Sequence, residues 1–230
     1  MEGTIQVIGT SHIAKESLEQ VEKLILEKKP DIIAVELDRK RLYALFQEKK
    51  EKAKFGDIRR IGFKGYLFVR LGEWAERKMG NLVGVAPGAE MKKAVELARS
   101  NNIPIALIDQ DIEITLKKFS KRITWREKFR FVGEIVRALF GKKTAIAFDL
   151  TKVPSKKIIK KLIDQLRDRY PNVHAVLIDE RNHFMAHRLN QLAHKNPGKH
   201  IIAFVGAGHE DGIKQLLTEQ SISYSFRIGT

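Results

Sequence analysis

The chain has 230 residues and no cysteine, and its 43 lysines and arginines against 28 aspartates and glutamates leave a formal net charge of +15. That length suits one α/β domain over 1–230 with helical insertions better than it suits two domains. Without cysteine there can be no disulfide, thiolate metal centre or cysteine nucleophile, so any metal must be held by His, Asp or Glu.

Thr4 to Ile8 opens the chain as a strand-like run with no apolar leader before it, and Lys15 to Lys28 follows as an amphipathic helix. Ile32 to Val35 is continuously apolar, as expected of a strand covered on both faces by helices. Arg39 to Ala53 is helical, with Asp38 at its N-cap. The segment 55–84 is too long for a simple connection and reads as a helical excursion. Glu90 to Ser100 is a helix and Ile105 to Ile108 a second buried strand; a further excursion, 116–143, carries the helical pattern Trp125 to Phe140. Lys156 to Arg169 and Asp179 to His194 are helices, Ile201 to Val205 a third central strand, and Asp211 to Glu219 a helix. Ser221 to Ile228 alternates polar and apolar residues, as a half-exposed edge strand does. Strand, helix, strand order near both ends predicts right-handed βαβ units, hence an α/β fold with a mainly parallel central sheet flanked by helices.

The positive charge is concentrated in 49–64, 117–143 and 152–169, and the rest of the chain is slightly acidic. Phe119, Trp125, Phe129, Phe131 and Phe140 interleave with those basic residues, a pattern suited to anionic lipid or nucleic acid. However, Trp125, Phe129, Val132, Val136 and Leu139 share helical spacing. An amphipathic helix packed on the core, or on a second subunit in a homodimer, accounts better for the aromatics, and nucleic acid is the lesser expectation. The longest near-continuous apolar stretch, Ile201 to Gly208, is too short to cross a bilayer, so the chain reads as soluble and either cytoplasmic or membrane-associated.

In an open α/β sheet ligands bind beyond the carboxyl ends of the strands. Here the first strand runs into Gly9-Thr10-Ser11-His12, the second ends at Glu36 within Val35-Glu36-Leu37-Asp38, the third at Asp109 and Asp111, and the fourth at Gly206-Ala207-Gly208-His209. Two imidazoles and a carboxylate at one rim are the donor set of a divalent metal with open coordination positions. Glu90 follows Pro87-Gly88-Ala89, where a carboxylate either answers the helix dipole or serves as ligand or general base. Arg181 lies on a helix whose Met185, Leu189 and Leu192 mark the apolar face, so it either snorkels at the surface or points inward to stabilise an oxyanion. His183 and His187 share a helix face, but no Glu follows the first, so the zincin pattern is missing and they read as surface or supporting residues. The loop after the fourth strand departs from a dinucleotide fingerprint in its last interval, and neither a Walker A sequence nor a Gly-x-Ser-x-Gly elbow occurs.

The two Gly-x-x-His segments with Val35-Glu36-Leu37-Asp38 resemble the TraB/PrgY family, which is related to the Tiki metalloproteases and more distantly to the erythromycin esterase and ChaN-like proteins. The likeness covers nearly the whole chain in the family's order: Gly9 to His12, Glu36 with Arg41, Gly88-Ala89-Glu90-Met91, Asp109 through Thr115, Glu180-Arg181-Asn182, and Gly206 to His209 followed by Gly212-Ile213. The resemblance implies a Tiki-like fold and a divalent-metal hydrolase site, with Mn, Co or Zn as the ion and a peptide as substrate. It makes His12 and His209 metal ligands, Glu36 and Glu90 ligand or base, and Arg181 a transition-state or structural residue. Asp109-Gln110-Asp111 departs from the family's pattern, which has a basic residue in the middle. Because relatives continue into membrane helices, the resemblance also implies a soluble part of a longer membrane protein. Because some members inhibit peptide pheromone signalling, it implies peptide sequestration as the alternative to cleavage.

Overall fold

The computed structural model describes residues 4–10, 15–47, 59, 88–127, 130 and 156–228. The excursion 55–84, apart from Arg59, lies outside these, as do residues 128, 129 and 131–143 of the excursion 116–143, and His12.

Four strands form one sheet in the order β1-β4-β2-β3: β1 (Thr4–Thr10), β2 (Ile32–Val35), β3 (Ile105–Leu107) and β4 (His200–Gly206). All pairings are parallel, with Thr10 opposite Gly206 and Val35 opposite Phe204. Among the described residues the last strand therefore slots between the first and second, with β1 at one edge of the sheet and β3 at the other.

Continuous apolar runs are explained by burial on both faces. Ile201, Ala203 and Val205 of β4, with Ile32 and Ala34 of β2, face Met185, Leu189 and Ile213. The alternate residues Ile202, Phe204, Ile33 and Val35 face Val21, Ile25, Met91 and Val95 on the other side. The second layer belongs to α1 (Lys15–Lys28) and α3 (Ala89–Ser100), which pack together. The first belongs to α7 (Glu180–Lys195) and α8 (Ala207–Ile228).

Between these lie α2 (Arg39–Phe46), α4 (Ile112–Arg122), α5 (Lys156–Arg169) and α6 (Pro171–His174), and a π-helical turn, Ala175–Asp179, joins α6 to α7. Asp38 caps α2 as expected, accepting from the backbone N–H of Lys40 at 2.7 Å and Arg41 at 3.0 Å. This helix ends at Phe46, with Gln47 extended; residues 48–53 of the expected helix lie outside the described residues. The apolar residues Leu42, Leu45 and Phe46 that pack on the core run out there, and a lysine-rich stretch follows.

The expected edge strand Ser221 to Ile228 is helical instead, the continuation of α8. A helix already under way adds one local hydrogen bond per residue, whereas a short alternating pattern forms a strand only if a sheet edge receives it. Trp125 does not pack on the core: it is 70% exposed. Among the described residues no helix is long and apolar enough to cross a membrane.

Candidate functional site

The carboxyl ends of the strands bring the polar residues together. β2 delivers Glu36 one residue past its end, β3 delivers Asp109 two residues past its own, and α8 starts directly after β4, so that His209 falls in its first turn. At the same rim, the end of β1 lies against the start of α8. A Cβ on Gly9 would come within 2.9 Å of the Glu210 Cβ, so only glycine permits this approach. Thr10 Oγ1 fastens the two strands by donating to the Val205 carbonyl at 3.2 Å. The two Gly-x-x-His segments thus meet where Thr10 lies opposite Gly206.

Arg181, at the start of α7, is the hub. Its Nη2 donates to Glu36 Oε1 and, at 2.5 Å, to Asp109 Oδ2; its Nε donates to Asp109 Oδ1 at 3.2 Å. Its Nη1 donates to the Leu177 carbonyl at 3.2 Å, in the π-helical turn, and faces His209 Nε2 at 3.1 Å. Such turns are frequent at functional sites. Burial by itself would weaken the hold of Arg181 on its proton, but the charges of Glu36 and Asp109 and their hydrogen bonds outweigh it and push its pKa above the ordinary guanidinium value. The inward orientation, and not surface snorkelling, is the one realised.

Asp109 has no exposed side-chain surface. Besides Arg181 it binds Arg41 Nη2 at 2.5 Å and the Gln110 backbone N–H at 2.7 Å. Arg41 reaches back to Asp38 Oδ2 through Nε at 2.7 Å. Burial works against the Arg41 charge too, and again Asp109 more than compensates, raising its pKa. Glu36 uses its second oxygen to accept the Gly206 N–H at 2.6 Å, tying the end of β2 to that of β4.

The neighbours of Arg181 are anchored independently. Glu180 pairs with Lys118 at 2.6 Å and with Arg122, both from α4. Asn182 Oδ1 lies 2.7 Å from His209 Nδ1. An open cleft of about 530 Å³ between α5, α7 and α8 reaches Asn182, Gly208 and Glu210, with Ile163, Ile178 and Leu216 on its apolar wall.

Of the residues singled out in the sequence, Glu36, Arg181 and His209 are joined directly. Glu90 is buried in the first turn of α3, on the other face of the sheet, and none of the hydrogen bonds described for Arg181 or His209 reaches it. Asp111 is an N-cap, accepting from the Glu113 N–H at 2.7 Å, and pairs with Lys40 at 3.1 Å. His183 and His187 are exposed, His183 bonding a carbonyl and His187 a side chain of their own helical segment. Sequence reasoning named Asp109 only as a strand end and assigned no role to Asn182 or to Arg41; Asn182 is adjacent to Arg181 on α7, but the joining of Asp109 to Arg41 and Arg181 is a contact between distant segments with no local signal.

A divalent ion can be tested against this geometry. Among the described residues no group of three His, Asp or Glu side chains is arranged to share a metal. Two donors stand at ligand spacing: His209 Nε2 and Glu36 Oε1 are 3.5 Å apart, and two ligands each about 2.1 Å from a tetrahedral ion lie roughly 3.4 Å apart, but both atoms also face Arg181, so an ion between them takes the place of the guanidinium contacts. The charge fits as well, since Glu36, Asp38 and Asp109 outnumber Arg41 and Arg181 by one when His209 is neutral. The third donor, His12, lies outside the described residues.

The sequence model of the TraB/PrgY/gumN family matches residues 2–223. The chain belongs to that family. It is 37% identical over 218 residues to an uncharacterized protein of Methanocaldococcus jannaschii, covering 93% of this chain and 53% of that protein. It is 22% and 24% identical to the TraB domain-containing proteins of Homo sapiens and Bos taurus, covering 92% of this chain and 62% of each of theirs. This TraB-family chain thus spans between half and two thirds of those relatives' length.

Proposed function

We propose that this TraB-family chain is a metal-dependent hydrolase, most fittingly of peptide bonds, with its centre at the rim between β2, β4 and α8. The observation that carries this reading is the pair His209 Nε2 and Glu36 Oε1, 3.5 Å apart inside a buried cluster with one negative charge in excess. His12, His209 and Glu36 are the proposed holders of a divalent ion, Mn, Co or Zn. When bound, such an ion acidifies a water molecule and polarises a carbonyl. Arg181, held charged by Glu36 and Asp109, lends positive potential beside the site, where an oxyanion would form. The cleft between α5, α7 and α8 reaches Asn182 and Gly208, the chain neighbours of Arg181 and His209, and its mixed apolar and polar lining suits a peptide with mixed side chains.

Metal content decides the matter. Wild-type protein is expected to carry close to one divalent ion per chain, and His12→Ala and His209→Ala to lose it; unchanged content in both variants would end the reading.

A second reading, peptide capture without cleavage, is favoured by one feature: both oxygens of Glu36 accept N–H hydrogen bonds, from Arg181 and from the Gly206 backbone, as in a purely structural carboxylate. Tight peptide binding with no product in Mn, Co or Zn buffers would select it.

A further inference from the structure

We infer that Asn182 is a positioning residue that locks His209 in a single ring tautomer, with Gly212 as the element that lets it do so. The side of the ring facing Arg181 settles where the proton lies. Nη1 of a guanidinium can only donate, and it stands 3.1 Å from His209 Nε2, so that nitrogen presents its lone pair. In the neutral ring the hydrogen is then on Nδ1, which donates to Asn182 Oδ1 at 2.7 Å. This also fixes the amide: its oxygen faces the ring and its nitrogen faces away, toward α8. There the backbone comes so close that a Cβ on Gly212 would overlap Asn182 Nδ2 and lie 3.2 Å from its Cγ. Asn182 is itself buried, as is His209.

The arrangement has a directional consequence. With Arg181 donating to Nε2, a ring that lacks an acceptor at Nδ1 is left with a buried, unsatisfied N–H, and ring rotation or tautomer exchange relieves that cost; with Asn182 in place both nitrogens are satisfied in one form alone. Partners at the far nitrogen of a ligating His orient the ring and raise ligand affinity, commonly by 10–100-fold. Arg181 and Asn182, consecutive on α7, thus grip the ring from its two nitrogens, one as donor and one as acceptor. The functional weight of this lock rests on the reading of His209 as a metal ligand, but the tautomer itself is a property of the metal-free chain.

The test is nitrogen-15 NMR of the imidazole rings in metal-free protein, recorded above the imidazole titration range, with the His209 signals assigned through His209→Gln. Wild type is expected to show a pure Nδ1–H pattern for His209. Asn182→Asp, which keeps the acceptor, is expected to retain it; Asn182→Leu and Gly212→Ala are expected to give averaged, mixed-tautomer shifts. If the hydrolase reading also holds, Asn182→Leu weakens Zn or Mn binding by about 10–100-fold, whereas loss of that reading leaves the NMR result standing. An Nε2–H pattern in wild type, or a pure Nδ1–H pattern persisting in folded Asn182→Leu or Gly212→Ala, would overturn the inference.

Discussion

Asp109 shows what holds the site in place, because a single fully buried carboxylate takes hydrogen bonds from two guanidiniums, Arg41 and Arg181. Neither arginine alone explains the arrangement. Each is also bound to a second acid, Asp38 or Glu36, so the five groups form one chain of alternating charge from α2 to β2. Removing the shared member leaves two like charges facing each other in a buried space. Asp109→Ala is therefore expected to lower stability by about 3–5 kcal/mol, read from the urea midpoint. A loss below about 1 kcal/mol would class the cluster with exposed ion pairs instead. Arg181→Lys tests geometry at constant charge: a lysine cannot span Glu36, Asp109 and the Leu177 carbonyl at once.

At the level of elements, two contacts join pieces of structure that are far apart in sequence. Gly9 allows the end of β1 to lie on the first turn of α8. Gly9→Ala is expected to force that helix and the Glu210 side chain outward, costing about 1–3 kcal/mol and shifting the melting temperature down. Glu127 makes the second junction, accepting from the Thr124 N–H at 3.0 Å, from Thr124 Oγ1 at 3.1 Å, and from the Asn172 N–H at 2.8 Å and Nδ2 at 3.1 Å. Burial acts to raise its pKa, but these hydrogen bonds to the charged form prevail and lower it. A depressed folded-state pKa contributes stability that is fully present above the unfolded value and is lost as pH falls through the folded one. The advantage of wild type over Glu127→Gln is thus expected to be full at neutral pH and to shrink as pH drops below the ordinary carboxyl value of 4.5. Denaturation at a series of pH values checks it, and a gap that stays constant into acid would show that the carboxylate charge is not what stabilises the junction.

Across the whole molecule, β4 is the keystone: it separates β1 from β2 and lends side chains to both cores. Phe204 is fully buried in one of them. Phe204→Ala is expected to cost about 3–5 kcal/mol, measurable by denaturation, and to disturb Glu36 as well, since the Glu36 N–H donates to the Phe204 carbonyl at 3.1 Å. The strands in the first 205 residues, the helix of 156–169 and the Asp38 cap were legible in the sequence because each depends on neighbours a few positions away. So was the pairing of Glu36 and His209 as candidates, since apolar strands ending in polar residues mark a rim whatever their order. Two matters were left to tertiary structure. The fate of Ser221 to Ile228 turned on whether a sheet edge received the segment, and α8 carried it on as helix. The ionic hub turned on β4 inserting between β1 and β2, which sets Arg181 against Glu36 across 145 positions of chain. Residue types and local periodicity determine which groups stand at strand ends; only the order in which strands pair decides which of those ends share one buried space, because that choice belongs to contacts between distant segments.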